Sequence, residues 1–278
     1  MSGYIPLANW VDHAVAYVTV QWSGFFDVLK ILIWFVWSRI EQAIVFIPWW
    51  LFLVILTLVA WRTAGRGVAV LTALGLLFLQ GLGMWQGTVR TLSLVVTSLV
   101  FCLAVGVPLG IWAARSNRVH AVIRPVLDFM QTMPSFVYLI PTLMLFGLGP
   151  VPALVAIVVF AMPPLVRLTD LGIRQVSPEL IEAANAFGST PGQILVKVQL
   201  PLALPTIMAG INQCIMLALS MSVIASMIGA GGLGTEVLYG ITRVQVGRGF
   251  VGGISIVALA IILDRLTQAA QYKNKKGP

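Results

Sequence analysis

Long apolar stretches, separated by short polar segments, make up most of this chain of 278 residues. The stretches show no alternation of apolar and polar residues, so the pattern does not indicate the strands of a membrane barrel. Because a helix needs about 20 mainly apolar residues to cross a bilayer, the pattern predicts an all-α membrane protein. We expect about seven spans, at residues 44–61, 68–84, 92–114, 126–146, 151–166, 204–228 and 252–263.

Two of these predicted spans contain prolines. Pro134 and Pro141 lie in the fourth span, and the pair Pro163-Pro164 lies in the fifth. Proline lacks a backbone N–H and its ring clashes with the preceding turn, so it kinks or breaks a helix. We therefore expect a kink in the fourth span and a break in the fifth.

The segment before the first predicted span is apolar but carries charges. Within residues 25–38, the charge-free part is only 31–38, which is too short to cross a bilayer. Trp34 and Trp37 suit the membrane–water interface. The segment is therefore expected to form a helix on the membrane surface, and a strained additional span is the alternative.

Charged residues make up only 9% of the chain, against about 25% in a soluble domain. The net charge of +8 could suggest a nucleic-acid partner, but cytoplasmic loops of membrane proteins are rich in Lys and Arg. If the segments after the first, third, fifth and seventh spans share one side, that side holds Arg62, Arg66, Arg115, Arg118, Arg124, Arg167, Arg174, Lys197, Arg265, Lys273, Lys275 and Lys276. The positive-inside rule then places the N-terminus outside and the C-terminus in the cytoplasm. No nucleic-acid partner is expected.

One polar segment, 177–201, lies between the fifth and sixth spans, on the predicted cytoplasmic side. Ser177 can cap a helix that begins at the following proline, where the missing N–H does no harm. Gly188 is a natural helix terminator, and Thr190-Pro191 indicates a second helix start. We predict a helix over 178–187, about 15 Å long, then a tight turn and a second helix that leads back into the membrane.

The predicted helix has an apolar face and a favourable charge distribution. Leu180, Ala184 and Phe187 share one side at helical spacing, and small alanines allow a partner to approach closely. Glutamates in the first turns stabilise the positive end of a helix. On periodicity alone, a surface helix that only closes a loop remains an alternative.

The motif in this segment resembles the EAA loop of permease subunits of ATP-binding-cassette (ABC) importers. Glu182-Ala183-Ala184 is followed by Gly188 after three intervening residues, and by Val198 and Leu200-Pro201 after nine more. The family pattern has Ile where this chain has Val198, which is a conservative difference. In that family the loop forms a coupling helix that docks into a cleft of the cytoplasmic ATPase subunit. The resemblance implies that the ATPase-docking residues are Glu179, Glu182, Ala183, Ala184, Phe187, Gly188, Val198, Leu200 and Pro201.

Further segments resemble the glycine betaine/proline branch of these importers. They are FMQTMPS at 129–135, AMPPLVRLT at 161–169, INQ at 211–213, LSMSVIA at 219–225 and ILDR at 262–265. The resemblance extends over about 91–267 and implies a type I ABC importer permease fold. Its five-helix core would occupy 91–270, after an extracytoplasmic or interfacial segment at 1–43 and two accessory spans at 44–90, and before a basic cytoplasmic tail at 271–278.

The resemblance also implies the partners and the substrate class. The partners would be a cytoplasmic ATP-binding subunit, an extracytoplasmic solute-binding protein, a second permease copy in a homodimer and the lipid of the bacterial inner membrane. The substrate would be glycine betaine or a related quaternary ammonium solute: proline betaine, choline, carnitine or trimethylamine N-oxide. The high-affinity site would lie on the binding protein. ATP and Mg would be bound by the partner subunit, so no cofactor is expected on this chain.

Polar side chains at membrane depth are candidates for a translocation path. Such groups usually face protein or a water-filled cavity, because unpaired polar groups are costly in hydrocarbon. They either line the path or join helices by hydrogen bonds, and the sequence leaves both open. The candidates are Gln131, Ser135 and Tyr138 near the expected kink, and Asn212, Gln213, Met216 and Ser220 in the sixth span.

Other motifs give no sign of enzymatic chemistry. Residues 229–234 contain G-x-G-x-x-G, which in a dinucleotide site joins a strand to a helix. Here the motif ends a predicted span on the outer side. A sharp turn with close backbone approach is therefore the better interpretation. A short outer helix at 235–241 is expected to follow. The sequence contains no phosphate-binding G-x-x-x-x-G-K-[ST] loop, so ATP would be hydrolysed elsewhere.

The cysteines and aspartates also have structural interpretations. Cys102 and Cys214 lie in apolar runs and indicate neither a disulfide framework nor a metal site. Asp128, Asp170 and Asp264 could suggest a proton relay, but basic neighbours make ion pairing the better interpretation. The sequence therefore favours an importer permease over two alternatives, a stand-alone ion-coupled carrier and a non-transporting membrane scaffold.

Overall fold

The regular secondary structure of the described residues is helical. The computed structural model describes residues 7–275. Its first part contains four helices: α1 (Leu7–Gln21), α2 (Ser23–Phe46), α3 (Trp49–Ala64) and α4 (Arg66–Gly81). Lys276, at the end of the predicted basic tail, lies outside the described residues.

The remainder forms the main bundle and the predicted docking loop. Its helices are α5 (Trp85–Arg115), α6 (Asn117–Thr132), α7 (Leu139–Phe146), α8 (Pro150–Arg174), α9 (Pro178–Ala186), α10 (Pro191–Ile194), α11 (Leu200–Ala225), α12 (Leu233–Thr242) and α13 (Val246–Lys275). Short 3₁₀ turns cover Ser135–Tyr138 and Ser226–Ile228, and a π-helical turn covers Leu195–Gln199.

The helices confirm an all-α membrane protein, but fewer than seven of them can each cross a bilayer. By length and apolarity, the described residues contain four candidate spans, Trp85–Arg115, Pro150–Arg174, Pro191–Ile228 and Val246–Ala269, or up to six if two bent helix pairs each count as one span. The first two predicted spans form α3 and α4, each of 16 residues. A helix of that length reaches about 24 Å, which is less than the hydrocarbon core of about 30 Å.

The fourth predicted span is two helices, and the predicted kink is a break. The axes of α6 and the segment Ser135–Phe146 differ by 108°. Met133, which precedes Pro134, is extended, with φ −68° and ψ 133°, as the following proline ring requires. α6 also begins at Asn117, so the loop expected around Arg118 and Arg124 is helical.

The prolines of the fifth predicted span do not break it. α8 runs without interruption for 25 residues, and Pro163 and Pro164 are buried in it. A proline in a membrane helix is tolerated where neighbouring helices pack around it. Here both α5 and α11 pack against α8. The expectation of a break was therefore wrong.

The core of the bundle lies where α5, α8 and α11 meet. Large side chains such as Leu94, Leu154, Ile157 and Leu219 are almost completely buried there. Glycines allow the helix backbones to approach closely: a Cβ atom added to Gly110 of α5 would lie 2.5 Å from Thr169 Cβ and 2.8 Å from the Val166 carbonyl oxygen of α8. Close approach through small residues is a common way for membrane helices to pack.

The helix expected on the membrane surface is part of α2. α2 is 24 residues long and meets α3 at an angle of 98°, with Pro48 at the junction. It packs against α5, α7 and α8, and Ile33, Trp37 and Ser38 are buried in that contact.

Hydrogen bonds show which helix ends share a side of the bundle. The Gly149 N–H donates to the Ile228 carbonyl at 2.8 Å, so the start of α8 lies beside the end of α11. On the opposite side, Arg174 Nη2 donates to the Ala113 carbonyl at 2.7 Å, which joins the ends of α8 and α5. α9 follows α8 directly and therefore lies on this second side.

Candidate docking helix and translocation path

The polar segment forms the predicted short helix followed by a glycine turn. α9 covers Pro178–Ala186, and the Phe187 N–H donates to the Ala183 carbonyl at 3.1 Å, which extends the last turn to the predicted end. Ser177 occupies the N-cap position, but within the described residues its side chain makes no capping hydrogen bond. The proline at the first helical position is therefore the main start signal.

The second helix start, α10, is closed by a capping box. The Thr190 hydroxyl accepts the Gln193 N–H at 3.4 Å, and Gln193 Oε1 accepts the Thr190 N–H at 2.8 Å. Two backbone donors at the helix start are thereby satisfied. The predicted restart of the helix at Thr190-Pro191 is confirmed.

The α9 helix lies at the surface of the protein. None of its nine residues is buried, and just beyond it the side chain of Phe187 is 91% exposed. Leu180, on the same face, is 47% exposed. Among the predicted docking residues, Glu179, Glu182, Ala183, Phe187, Gly188 and Pro201 are exposed, and Ala184, Val198 and Leu200 are half-buried. An exposed apolar patch on a small helix is typical of a surface that binds another protein.

Gly188 allows the sharp turn between the two helices. Its φ is +76°, in the left-handed region that side chains with a Cβ rarely adopt. The Gly188 N–H donates to the Asn185 carbonyl at 2.9 Å, and the Ser189 N–H donates to the Ala184 carbonyl at 3.0 Å. These bonds satisfy carbonyl groups at the helix end and fix the direction in which the chain leaves α9.

A π-helical turn at Leu195–Gln199 joins α10 to α11, and the sequence analysis did not predict it. The Leu200 N–H donates to the Leu195 carbonyl, five residues earlier, where an α-helix would use the residue four earlier. Pro201 follows at once, and in a regular α-helix its ring would clash with the Lys197 carbonyl. The wider turn accommodates this ring.

Two of the three aspartates form the expected ion pairs. Asp128 pairs with Arg167, and Asp170 pairs with Arg174 at 2.7 Å. These pairs join α6 to α8 and stabilise the end of α8. A proton relay through these two carboxylates therefore has no support in the geometry.

The third aspartate does not pair with its basic neighbour. Asp264 accepts hydrogen bonds from Asn212 Nδ2 at 3.0 Å and from Gln268 Nε2 at 2.8 Å, and Thr267 donates its hydroxyl hydrogen to Asn212 Oδ1. Adjacent residues of a helix point about 100° apart, so Arg265 faces away from this network. The expected ion pair is wrong, and Asn212 joins α11 to α13 by hydrogen bonds.

The other path candidates divide into two groups. Gln213 and Ser220 are exposed along one stripe of α11, with Met216 half-buried between them. Near the break between α6 and α7, Gln131 is exposed, Ser135 is half-buried, and Tyr138 is buried with its hydroxyl bonded to the Met130 carbonyl. The turn that contains Ser135 and Tyr138 packs against α11. The structure thus brings Ser135 and Tyr138 close to the helix that bears the polar stripe.

The glycine-rich segment makes the predicted turn with close backbone approach. Gly229, Gly231 and Gly232 have φ values of 89°, 79° and 83°. A Cβ added to Gly231 would lie 2.4 Å from Arg90 Nε, and one added to Gly232 would lie 2.5 Å from Thr91 Oγ1. The segment therefore seats the end of α11 on the start of α5, which is a structural role.

The family follows from comparison of the whole sequence. The sequence model of the binding-protein-dependent transport system inner membrane component family matches residues 106–275. This match includes α9, the glycine turn and α11. The chain belongs to this family. It is therefore an inner-membrane permease, with several apolar helices of the kind described above.

Relatives of this permease match it over nearly its whole length. It is 54% identical to the glycine betaine/carnitine transport permease protein GbuB of Listeria monocytogenes, over 98% of this chain and 97% of the relative. It is 50% identical to the glycine betaine transport system permease protein OpuAB of Bacillus subtilis, over 98% and 96%. It is also 50% identical to the glycine betaine/proline betaine transport system permease protein ProW of Escherichia coli, over 95% and 75%.

Solved structures support the type I ABC importer permease fold. A chain of the MetNI methionine ABC transporter, in an inward-facing conformation, aligns with a TM-score of 0.60 and 24% identity, over 71% of this permease and 96% of that chain. At this identity the similarity shows the fold and not the substrate.

A short helix follows the glycine-rich segment, as predicted. α12 covers Leu233–Thr242 and ends in a compact cluster with the start of α13. Arg243 and Arg248 lie 5.0 Å and 4.7 Å from the ring centre of Tyr239, and Arg248 also pairs with Glu236. This cluster lies on the side of the bundle opposite α9.

Proposed function

We propose that this permease imports glycine betaine or a closely related quaternary ammonium solute, driven by ATP hydrolysis on a separate subunit. The observation that carries the proposal is the 54% identity over 98% of the chain to a glycine betaine/carnitine permease. Relatives named for choline or for carnitine alone are more distant, at 34% and 32% identity. Membership of a binding-protein-dependent family favours the importer over a stand-alone carrier or a scaffold.

The proposed contact with the ATP-binding subunit is α9. Its support is the combination of the EAA motif, the surface position of the helix, none of whose residues is buried, and the exposed ring of Phe187. A rod of nine residues, about 14 Å long, fits a cleft in a partner and buries apolar surface there. When the two ATP-binding subunits close on ATP, they would move α9 and, through it, α8 and α11.

The proposed topology places α9 and the C-terminus in the cytoplasm, and the α12 cluster and the N-terminus outside. It is supported by the excess of Lys and Arg on the α9 side. The solute-binding protein would then dock on the side that holds α12, and a second copy of the permease would complete the path as a homodimer. The exposed polar stripe of α11 supports this, because such groups at membrane depth need protein or water beside them.

The high-affinity solute site is proposed to belong to the binding protein. A quaternary ammonium group is held well by open aromatic faces, through cation–π attraction. In this chain the Tyr239 ring faces Arg243 and Arg248, and Arg90 lies 5.9 Å from the Trp37 ring centre. These rings are already occupied by cations of the protein itself. In this proposal the permease itself contributes a weak polar path along Gln213 and Ser220.

Substitution of Phe187 by alanine is expected to weaken binding of the ATP-binding subunit about ten-fold or more, because burial of a Phe side chain contributes about 1.5–3 kcal/mol. The thermal stability of the permease should not change, since the ring contacts solvent. Binding is measured by titration of the purified subunit onto the permease in nanodiscs. Phe250→Ala, which removes a ring 68% exposed on α13, is the matched control. Equal affinities of the two variants would contradict the docking role.

The stripe on α11 gives a second prediction. Gln213→Leu should lower solute uptake several-fold while the melting temperature stays within a few degrees of the native value, because the side chain is exposed. Asn212→Leu is the comparison: it removes the bonds to α13 and should lower the melting temperature. If Gln213→Leu transports normally, the path lies elsewhere.

The substrate assignment is tested on the cognate binding protein and on the complete transporter. A thermal-shift screen with the candidate solutes identifies which of them binds. Uptake of that radiolabelled solute by proteoliposomes that contain the permease and its partners should require both ATP and the binding protein. Uptake driven by an ion gradient without ATP would refute the proposal.

A further inference from the structure

Arg174 lies at the point where the bundle leads into the proposed docking helix. It is the last residue of α8, and only three residues separate it from α9. α9 has no buried residue, so its two chain connections are the main routes by which its movement reaches the bundle. One of these connections is the end of α8.

The Arg174 side chain uses all three of its guanidinium nitrogens to join helix ends. Its Nε donates to Asp170 Oδ1 at 2.7 Å, its Nη1 to Asn117 Oδ1 at 2.8 Å, and its Nη2 to the Ala113 carbonyl at 2.7 Å. Ala113 lies in the last turn of α5, and Asn117 begins α6. One side chain thus connects the end of α8 to the end of α5 and the start of α6.

The carboxylate of Asp170, which pairs with Arg174, also contacts α6. Asp170 is only 8% exposed, and its second oxygen lies 2.6 Å from His120 Nδ1 of α6. Beside these residues a cavity of about 310 Å³ separates α6 from α8. Hydrogen bonds and an ion pair therefore contribute much of the contact between these helix ends. We name Asn117, His120, Asp170 and Arg174 the Arg174 cluster.

Close packing fixes the end of α8 to α11 as well. A Cβ added to Gly172 would lie 3.0 Å from Thr206 Cβ and 3.2 Å from the Ala203 carbonyl oxygen. The start of α11 cannot therefore move far without α8. At this level the end of α8 is also joined to α5 and α6 by the directional bonds of the Arg174 cluster.

We propose that Arg174 is a positioning residue for coupling, which transmits displacement of α9 through the end of α8 to α5 and α6. This inference rests on the proposed docking of α9. Charge-assisted hydrogen bonds in a forked arrangement are directional and strong, so they resist bending of the last turn. Without them the last turn of α8 bends when α9 is moved, and part of the motion is lost before it reaches α5.

The test measures how many ATP molecules are hydrolysed for each solute imported. The complete transporter is reconstituted in proteoliposomes with its binding protein. Arg174→Ala should raise the number of ATP molecules per solute roughly ten-fold, as expected when a set of charged hydrogen bonds is lost from a coupled element. The KM for the loaded binding protein should not change, since α12 lies at the other end of the bundle.

Three further variants make the result specific. Arg118→Ala removes an exposed side chain with the same charge as Arg174, but one that forms no hydrogen bond or ion pair within residues 7–275. It should leave the number of ATP molecules hydrolysed per solute unchanged. Arg174→Lys keeps the charge but not the fork, so it should restore part of the coupling. Asn117→Ala removes one bond and should give an intermediate ratio, even if Arg174→Ala fails to fold.

The outcomes separate this inference from the proposed docking role. A normal ratio in Arg174→Ala and Asn117→Ala, with an abnormal ratio in variants of α9, would overturn the inference and leave the docking role in place. A normal ratio in all of them would contradict the docking role itself. A fall in uptake and ATP hydrolysis by the same factor would indicate loss of folded protein and would also count against the inference.

Discussion

Gly188→Val is expected to abolish ATP-driven uptake while the permease still inserts and folds. The φ of +76° at this position costs about 1–2 kcal/mol for a residue with a Cβ, and more for a β-branched one. The turn after α9 would therefore relax to a negative φ and redirect the chain. No described atom lies within 4 Å of an added Cβ, so the bundle itself meets no clash.

The matched variants separate backbone conformation from size. Asn tolerates the left-handed region, so Gly188→Asn should retain most of the uptake. Gly192→Val adds the same side chain four residues later, where φ is not positive and the space is open, and it should have little effect. Uptake and ATP hydrolysis are measured together in proteoliposomes. Normal coupled transport by Gly188→Val would argue strongly against a docking role for this turn.

Gly110→Leu is expected to prevent accumulation of folded permease. The neighbouring Thr169 and the Val166 carbonyl of α8 leave no room even for a methyl group, and a backbone carbonyl can move only with its helix. Overpacking costs about 1–3 kcal/mol for small insertions, and a Leu at a backbone crossing should exceed this range. Fluorescence-detected size-exclusion chromatography of detergent extracts should show loss of the monodisperse peak.

The graded series at this site identifies packing as the cause. Gly110→Ala should lower the melting temperature but leave some folded protein. Gly253→Leu, in the apolar part of α13, adds the same side chain where no described atom lies within 4 Å, and it should give a normal profile. If Gly110→Leu purified as well as Gly253→Leu, the close crossing of α5 and α8 would be wrong.

The features that the sequence analysis predicted correctly are those with short-range causes. Apolar length identified α5, α8, α11 and α13 as membrane helices. Pro178, Gly188 and Thr190-Pro191 predicted the outline of the docking loop, because helix starts and stops depend on a few neighbouring residues. The glycines at 229–232 also predicted a sharp turn, since positive φ is a local property.

The features that it missed depend on contacts between distant segments. Pro163 and Pro164 remain inside α8 because α5 and α11 pack around them. Asp264 binds Asn212, 52 residues earlier, in preference to the adjacent arginine. The start of α6 was expected to be a loop, but it is helical from Asn117. No pattern within one segment predicts that Arg174 contacts the end of α5.

The number of residues in the π-helical turn at Leu195–Gln199 affects the orientation of α9 relative to α11. Each residue of an α-helix rotates the chain by about 100° about the helix axis. The additional residue in the π-helical turn therefore determines in which direction α9 lies about the axis of α11, relative to the lipid-facing side of α11. Deletion of Val196 would keep every predicted docking residue and would still rotate the proposed docking face of α9 to a different direction. The spacing between the two halves of the EAA motif would thus define the proposed contact surface as much as the side chains do.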